Sequence, residues 1–181
     1  MDKEFIFKYN MTEVGKAQGY FELNKDRWSF ELVNASNAVG DLLKAMVSLL
    51  QVPAHLLGEE NSTAIEWYSD EFIYVLEFQS DDGHEILLTF TRHSAPFGEE
   101  LPPHSVSATV KLYVFYLAVI QELDRLIKRL GLLNYAQMWQ NDEFPLTYFL
   151  TLKKYLIDWK KWKPSMEESD VLESEFMIVL S

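Results

Sequence analysis

Four histidines, His55, His84, His93 and His104, are the side chains of this sequence whose ordinary pKa lies near neutrality, so any proton transfer or imidazole ligation would start from them. His84 and His93 fall nine residues apart on one expected strand, and an odd separation puts them on opposite faces. No histidine stands at zinc-ligand spacing from a second histidine, and His-Glu-x-x-His does not occur. Adjacent carboxylates occur at Glu59-Glu60, Asp70-Glu71, Asp81-Asp82, Glu99-Glu100 and Glu167-Glu168. Catalytic carboxylates converge from separate elements into a dry cleft, whereas neighbours in turn-rich segments point into water. With no cysteine there is no thiolate nucleophile, thiolate metal site or disulfide. A Gly-x-Ser-x-Gly elbow is missing, and Gly15-Lys16-Ala17 lacks the rest of a phosphate loop. The residues therefore predict no catalytic group, no metal and no cofactor.

Charge is the stronger signal. Residues 1–104 carry 18 Asp/Glu against 7 Lys/Arg, residues 105–163 carry 5 against 9, and residues 164–181 carry 5 against none. A concentrated negative field attracts a positive partner and speeds its encounter. It repels nucleic acid and anionic lipid, which share its sign. The expected partner is a basic protein, met by acidic loops at Glu59, Glu60, Asp70, Glu71, Glu99 and Glu100, with Trp67 and Tyr68 as aromatic anchors. One opposing feature is a basic, aromatic segment in which Lys153, Lys154, Lys160, Lys161 and Lys163 interleave with Tyr155, Trp159 and Trp162. That composition suits a single-stranded nucleic acid surface. Cations at a helix C-terminus, with stems lying over apolar surface, account for it without a ligand.

The elements that must position these groups can be read from periodicity. Alternating Phe5, Phe7 and Tyr9, the run 19–23, and alternating Trp28, Phe30 and Leu32 predict strands, with residues 24–26 as a turn. Ser36 is the expected N-cap of a helix in which Val39, Leu42, Leu43, Met46, Leu49 and Leu50 share one face, stopped by Pro53. A strand over 63–69 leads into a hairpin whose faces are Phe72, Tyr74, Leu76, Phe78 and Ile86, Leu88, Phe90. A three-residue loop would pair Phe78 with Ile86 and keep the apolar faces together, with Gly83 at positive φ. Pro96, Gly98, Pro102 and Pro103 mark a candidate functional loop over 94–104.

From Ser105 onward the seam Val106, Val110, Tyr113, Leu117, Ile120, Ile127 predicts a helix ending at Gly131, with strand as the alternative for residues 106–116. A short helix follows near Tyr135 to Trp139. A last one is opened by Pro145 and closed by Pro164. Strands gathered early and helices late predict the α+β class: one domain over residues 1–164, with an antiparallel sheet from the N-terminal half packed against helices mostly from the C-terminal half. Residues 165–181 form an acidic tail in which 176–180 would suit a terminal strand. The longest uncharged apolar run, 112–120, is about half the roughly 20 residues that a membrane-crossing helix needs. The start, Met1-Asp2-Lys3-Glu4, has no signal-peptide core, which predicts a cytoplasmic protein.

The stretch Trp28 to Leu32, Asn34-Ala35-Ser36, Asp41-Leu42-Leu43-Lys44-Ala45, Ile65-Glu66-Trp67 and its following hairpin resembles small uncharacterised bacterial α+β proteins. Leu130-Gly131-Leu132-Leu133-Asn134-Tyr135, Trp139 and Phe144-Pro145-Leu146 are similar in character. Such proteins include immunity proteins of bacterial toxin systems, and the resemblance implies a non-catalytic role. The expectation is a protein-binding module, with a basic toxin as one partner. The alternative is a small-ligand binder or hydrolase with a pocket between sheet and helices, using His84, His93 or His104 with a loop carboxylate.

Overall fold

The computed structural model describes residues 4–51, 61–140 and 142–163. Among these residues two antiparallel meanders and four helices build the α+β architecture, and the helices fall mostly in the C-terminal half. The first meander joins β1 (Phe5–Glu13), β2 (Lys16–Leu23) and β3 (Asp26–Val33) in the order β1-β2-β3. Phe5, Phe7, Tyr9 and Met11 alternate inward along β1, as do Phe30 and Leu32 along β3. Asn24 and Lys25 both take positive φ, 51° and 79°, the twist-matched two-residue turn that closes β2 onto β3. Gly19 lies between Tyr9 and Phe30 across the three strands. A Cβ there would sit 1.9 Å from the Lys8 carbonyl oxygen and 2.7 Å from the Phe30 ring, so only glycine lets that ring cover the sheet.

Helix α1 (Ala38–Gln51) follows. Its cap is Asn37 in place of the expected Ser36: the Asn37 side-chain oxygen accepts from the Gly40 N–H at 3.0 Å. Pro53, the expected stop, lies outside the described residues. The second meander is β4 (Asn61–Tyr68), β5 (Phe72–Ser80), β6 (Glu85–Ser94) and β7 (His104–Lys111), paired in that order. The strands thus form two sheets where one was expected.

Two sequence expectations are corrected in this meander. Residues 105–111 are strand, and the helix starts only at Leu112, because Val106, Ala108 and Val110 stand opposite Phe90, Leu88 and Ile86 on one face while Ser105, Ser107 and Thr109 point outward. The β5–β6 hairpin pairs Phe78 with Leu88, Leu76 with Phe90 and Tyr74 with Arg92, so the apolar faces do meet, two residues further along β6 than a three-residue loop allows. Side chains fill the longer loop. The Ser80 hydroxyl donates to the Glu85 carbonyl at 2.6 Å and accepts from the Gly83 N–H, and the Asp82 carboxylate accepts from the N–H groups of His84 and Glu85. Those bonds hold the Asp82 carboxyl below its ordinary pKa. Gly83 has φ +70°, as the sequence predicts.

Helices α2 (Leu112–Leu130), α3 (Leu132–Trp139) and α4 (Leu146–Asp158) follow, with Gly131 at φ 85° ending α2. α2 lies along β1, and α4 packs on both α1 and α2. Inner faces of the two sheets meet through aromatic rings. Trp67 stacks on Phe21 at 6.0 Å and meets Phe30 edge-on at 4.9 Å, while its Nε1–H donates to the Ala38 carbonyl at 3.0 Å. One side chain thus joins both sheets to the start of α1. Among the described residues no helix is long and apolar enough to cross a membrane.

A candidate protein-binding face

One end of the four-stranded sheet gathers the β4–β5 turn and the 95–103 loop. Ser69 shapes the turn: its hydroxyl accepts from the N–H groups of Glu71 (3.2 Å) and Phe72 (2.9 Å), and its own N–H donates to the Phe72 carbonyl at 2.8 Å. Asp70 and Glu71 are left exposed at the tip. The Ala95 N–H donates to the Glu71 carbonyl at 2.8 Å, tying the loop to the turn, and the Gly98 N–H donates to the Ala95 carbonyl at 2.9 Å. The Ser94 hydroxyl accepts from the Leu101 N–H at 2.9 Å. Within this hydrogen-bonded turn Phe97 stands fully exposed, with Leu101 also presented to solvent and Glu99 and Glu100 between them.

Beside this end runs an open groove of about 640 Å³ between β3 and the start of β5, lined by Ser29 to Val33 and by Asp70, Glu71, Phe72 and Arg92. Glu13 and Lys16 at its far side pair with each other at 3.5 Å. The Arg92 guanidinium lies 4.6 Å above the Phe72 ring, and the Tyr74 hydroxyl accepts from the Glu31 N–H at 3.3 Å.

Asp70, Glu71, Glu99 and Glu100 are thus brought to one end of one sheet. Trp67 is a correction: it is fully buried in the aromatic core and is not offered to a partner. Its odd-numbered place on β4 aims it inward with the buried faces of its neighbours. Tyr68 is half-buried and lines a separate groove of about 570 Å³ between α1 and β4, with Asp41 and Lys44. Its hydroxyl donates to Glu66 at 2.6 Å, which holds the phenol's pKa above its ordinary value, and burial raises that of the Asp41 carboxyl. Glu59, Glu60 and His55 lie outside the described residues, as do Pro164 and the tail.

The remaining histidines are dispersed. His84 sits in the β5–β6 turn, and His93 and His104 lie toward the other end, where the register Arg92 to His104 places His93 and His104 on opposite faces. Among the described residues no group of three His, Asp or Glu could hold a metal ion. A groove of about 570 Å³ does lie between the first sheet and α2, lined by Lys8, Glu122, Arg125 and Arg129, and it contains no histidine.

Sequence reasoning missed the buried charges. Glu122 accepts from Lys8 at 3.0 Å, from Arg125 at 2.7 Å and from the Tyr9 N–H at 3.3 Å, tying α2 to β1. Lys153, counted among the basic residues of the last helix, is fully buried and bonds Asp124 at 2.9 Å, with the Trp162 ring 4.6 Å from its ammonium. Lys154, Lys160, Lys161 and Lys163 remain exposed, and Lys161 lies 4.1 Å over the Tyr113 ring. The signal was present: Phe149, Leu152, Lys153 and Leu156 fall at i, i+3, i+4, i+7, so Lys153 shares the apolar face. Compared with known proteins, the chain matches no family model, no curated protein and no solved structure.

Proposed function

We propose that the protein is a non-catalytic binding module for a basic protein, in the manner of an immunity protein that neutralises a basic toxin. The observation that carries this reading is the placement of the fully exposed Phe97 on a hydrogen-bonded turn at the same end of the sheet as Asp70, Glu71, Glu99 and Glu100. An apolar ring held in water by a fixed backbone loses little conformational freedom on binding, and burying it contributes about 1.5–3 kcal/mol. The carboxylates around it add long-range attraction and select the sign of the partner. This is the arrangement of a central anchor inside a charged rim.

The test is to place a photo-crosslinking phenylalanine analogue at position 97 and irradiate cells that express the protein. The expected result is an adduct with one strongly basic protein, lost when Asp70, Glu71, Glu99 and Glu100 are changed together to lysine. An adduct with an acidic protein, no adduct, or labelling indifferent to the charge reversal refutes the reading.

A further inference from the structure

We infer that β3 is a docking strand: an extended basic segment of the protein partner adds alongside its free edge in the groove, extending the three-stranded sheet. The inference rests on the protein-binding reading above and assigns it a mode.

The backbone geometry points outward into the groove. β3 pairs with β2 on one side, and among the described residues no strand pairs with the other. The two-residue turn makes Leu23 and Asp26 the closing hydrogen-bonded pair, so Tyr20/Ser29, Gln18/Glu31 and Lys16/Val33 are the non-hydrogen-bonded pairs of the ladder. The N–H and C=O groups of Ser29, Glu31 and Val33 therefore point away from β2. Glu31 shows this directly, since its N–H reaches across to the Tyr74 hydroxyl at the long distance of 3.3 Å. Residues 29–33 line the groove consecutively, which is the signature of a strand edge forming a wall. Five residues of strand span about 17 Å, enough for several ladder bonds with an added chain.

Electrostatics chooses the occupant. Glu13, Glu31, Asp70 and Glu71 line the groove against Lys16 and Arg92, and Lys16 is already paired with Glu13. An incoming strand with lysine or arginine at alternate positions meets Glu31 on the sheet face and Asp70 and Glu71 on the opposite wall. A second copy of the chain would set these carboxylates against their own equivalents, which is the wrong sign.

The probe is a short synthetic peptide alternating lysine and valine, with two controls: the same peptide N-methylated at every second amide, and one with glutamate in place of lysine. Calorimetry with the full chain gives affinity, and amide hydrogen exchange by NMR gives location. The expected results are slower exchange at Ser29 and Val33, and binding weakened at least about tenfold by N-methylation, by the glutamate control and by Asp70→Lys with Glu71→Lys. Ser29→Pro removes an outward N–H without breaking a ladder bond and should weaken binding as much at an unchanged melting temperature. Should that variant not fold, the N-methylated peptide makes the same test. Binding that survives N-methylation, or protection away from β3, overturns the strand mode while leaving the acidic face intact. Concentration-dependent dimerisation that shields Ser29 and Val33 overturns it in favour of a second copy. A position-97 probe that labels no basic protein instead removes the partner reading on which the inference rests.

Discussion

Removing one or the other partner of the buried ion pair between α2 and α4 should have unequal effects. Lys153 is fully buried, whereas Asp124 keeps a second partner, Lys128, at 2.9 Å near the surface. Asp124→Ala deprives a buried ammonium of its carboxylate, for which the expected cost is about 3–5 kcal/mol. Lys153→Met keeps the apolar stem and leaves Asp124 with Lys128, so it should cost no more than about 1 kcal/mol.

The pH dependence separates this account from simple packing loss. Burial lowers the pKa of Lys153, and the Asp124 hydrogen bond opposes that shift only in part. A lysine that holds its proton less tightly folded than unfolded reduces stability below its folded pKa, and the reduction fades as pH rises from that value to about 10.4. Without Asp124 the pKa falls further, so the deficit of Asp124→Ala should shrink between pH 7 and pH 10, while Lys153→Met should lose this slope. Urea unfolding at both pH values, with equal m-values, gives the numbers. A Lys153→Met variant as damaged as Asp124→Ala would refute the reasoning, since the ammonium would then be a net stabiliser.

Gly83→Val should cost about 1–3 kcal/mol, because a Cβ there meets nothing within 4 Å and the penalty is that of a β-branched residue at φ +70° alone; an unchanged thermal midpoint would contradict it. Asn37→Ala should remove about 1 kcal/mol by leaving the Gly40 N–H uncapped, and Asn37→Ser should restore most of it in the same melts. Changing Asp70, Glu71, Glu99 and Glu100 to lysine should slow association with the basic partner and flatten its salt dependence, with a smaller change in dissociation. Neutralising Lys154, Lys160, Lys161 and Lys163 should change neither rate, which stopped-flow mixing at two salt concentrations would read.

Strand faces were legible in the sequence wherever alternation was strict, as in Phe5, Phe7 and Tyr9 or Tyr74, Leu76 and Phe78. The seam Val106, Val110 misled because a spacing of four lies near one helical turn and is also even, so it keeps two residues on one face of either element. The hairpin's parity followed from its apolar faces, but its register depends on hydrogen bonds from Ser80 and Asp82 that alternation does not encode. At Asp70-Glu71, Asp81-Asp82 and Glu99-Glu100 the carboxylates in turns are exposed, as the sequence reading has them. Trp67 was misplaced because the reading weighed its neighbours in sequence, Asp70 and Glu71, over its parity on β4. The turn that displays Phe97 is foreshadowed by Pro96 and Gly98, but its fixing follows from the bond of the Ala95 N–H to the Glu71 carbonyl, which joins separate loops and carries no local pattern.

The order of pairing in both meanders bears on how fast the chain finds this structure. Among the described residues each strand hydrogen-bonds only to strands adjacent to it in sequence, β1-β2-β3 and β4-β5-β6-β7, so ladder formation closes short loops and costs little chain entropy. The distant steps are bringing α2 back over β1, seating α4 on α1, and setting Trp67 of the second meander onto Phe21 and Phe30 of the first. The rate-limiting event should therefore be the docking of two largely formed meanders. Substitutions in the hairpin turns, whose ladders are formed before that event, should slow refolding with little effect on unfolding, whereas those at Trp67, whose contacts form during docking, should divide between the two rates.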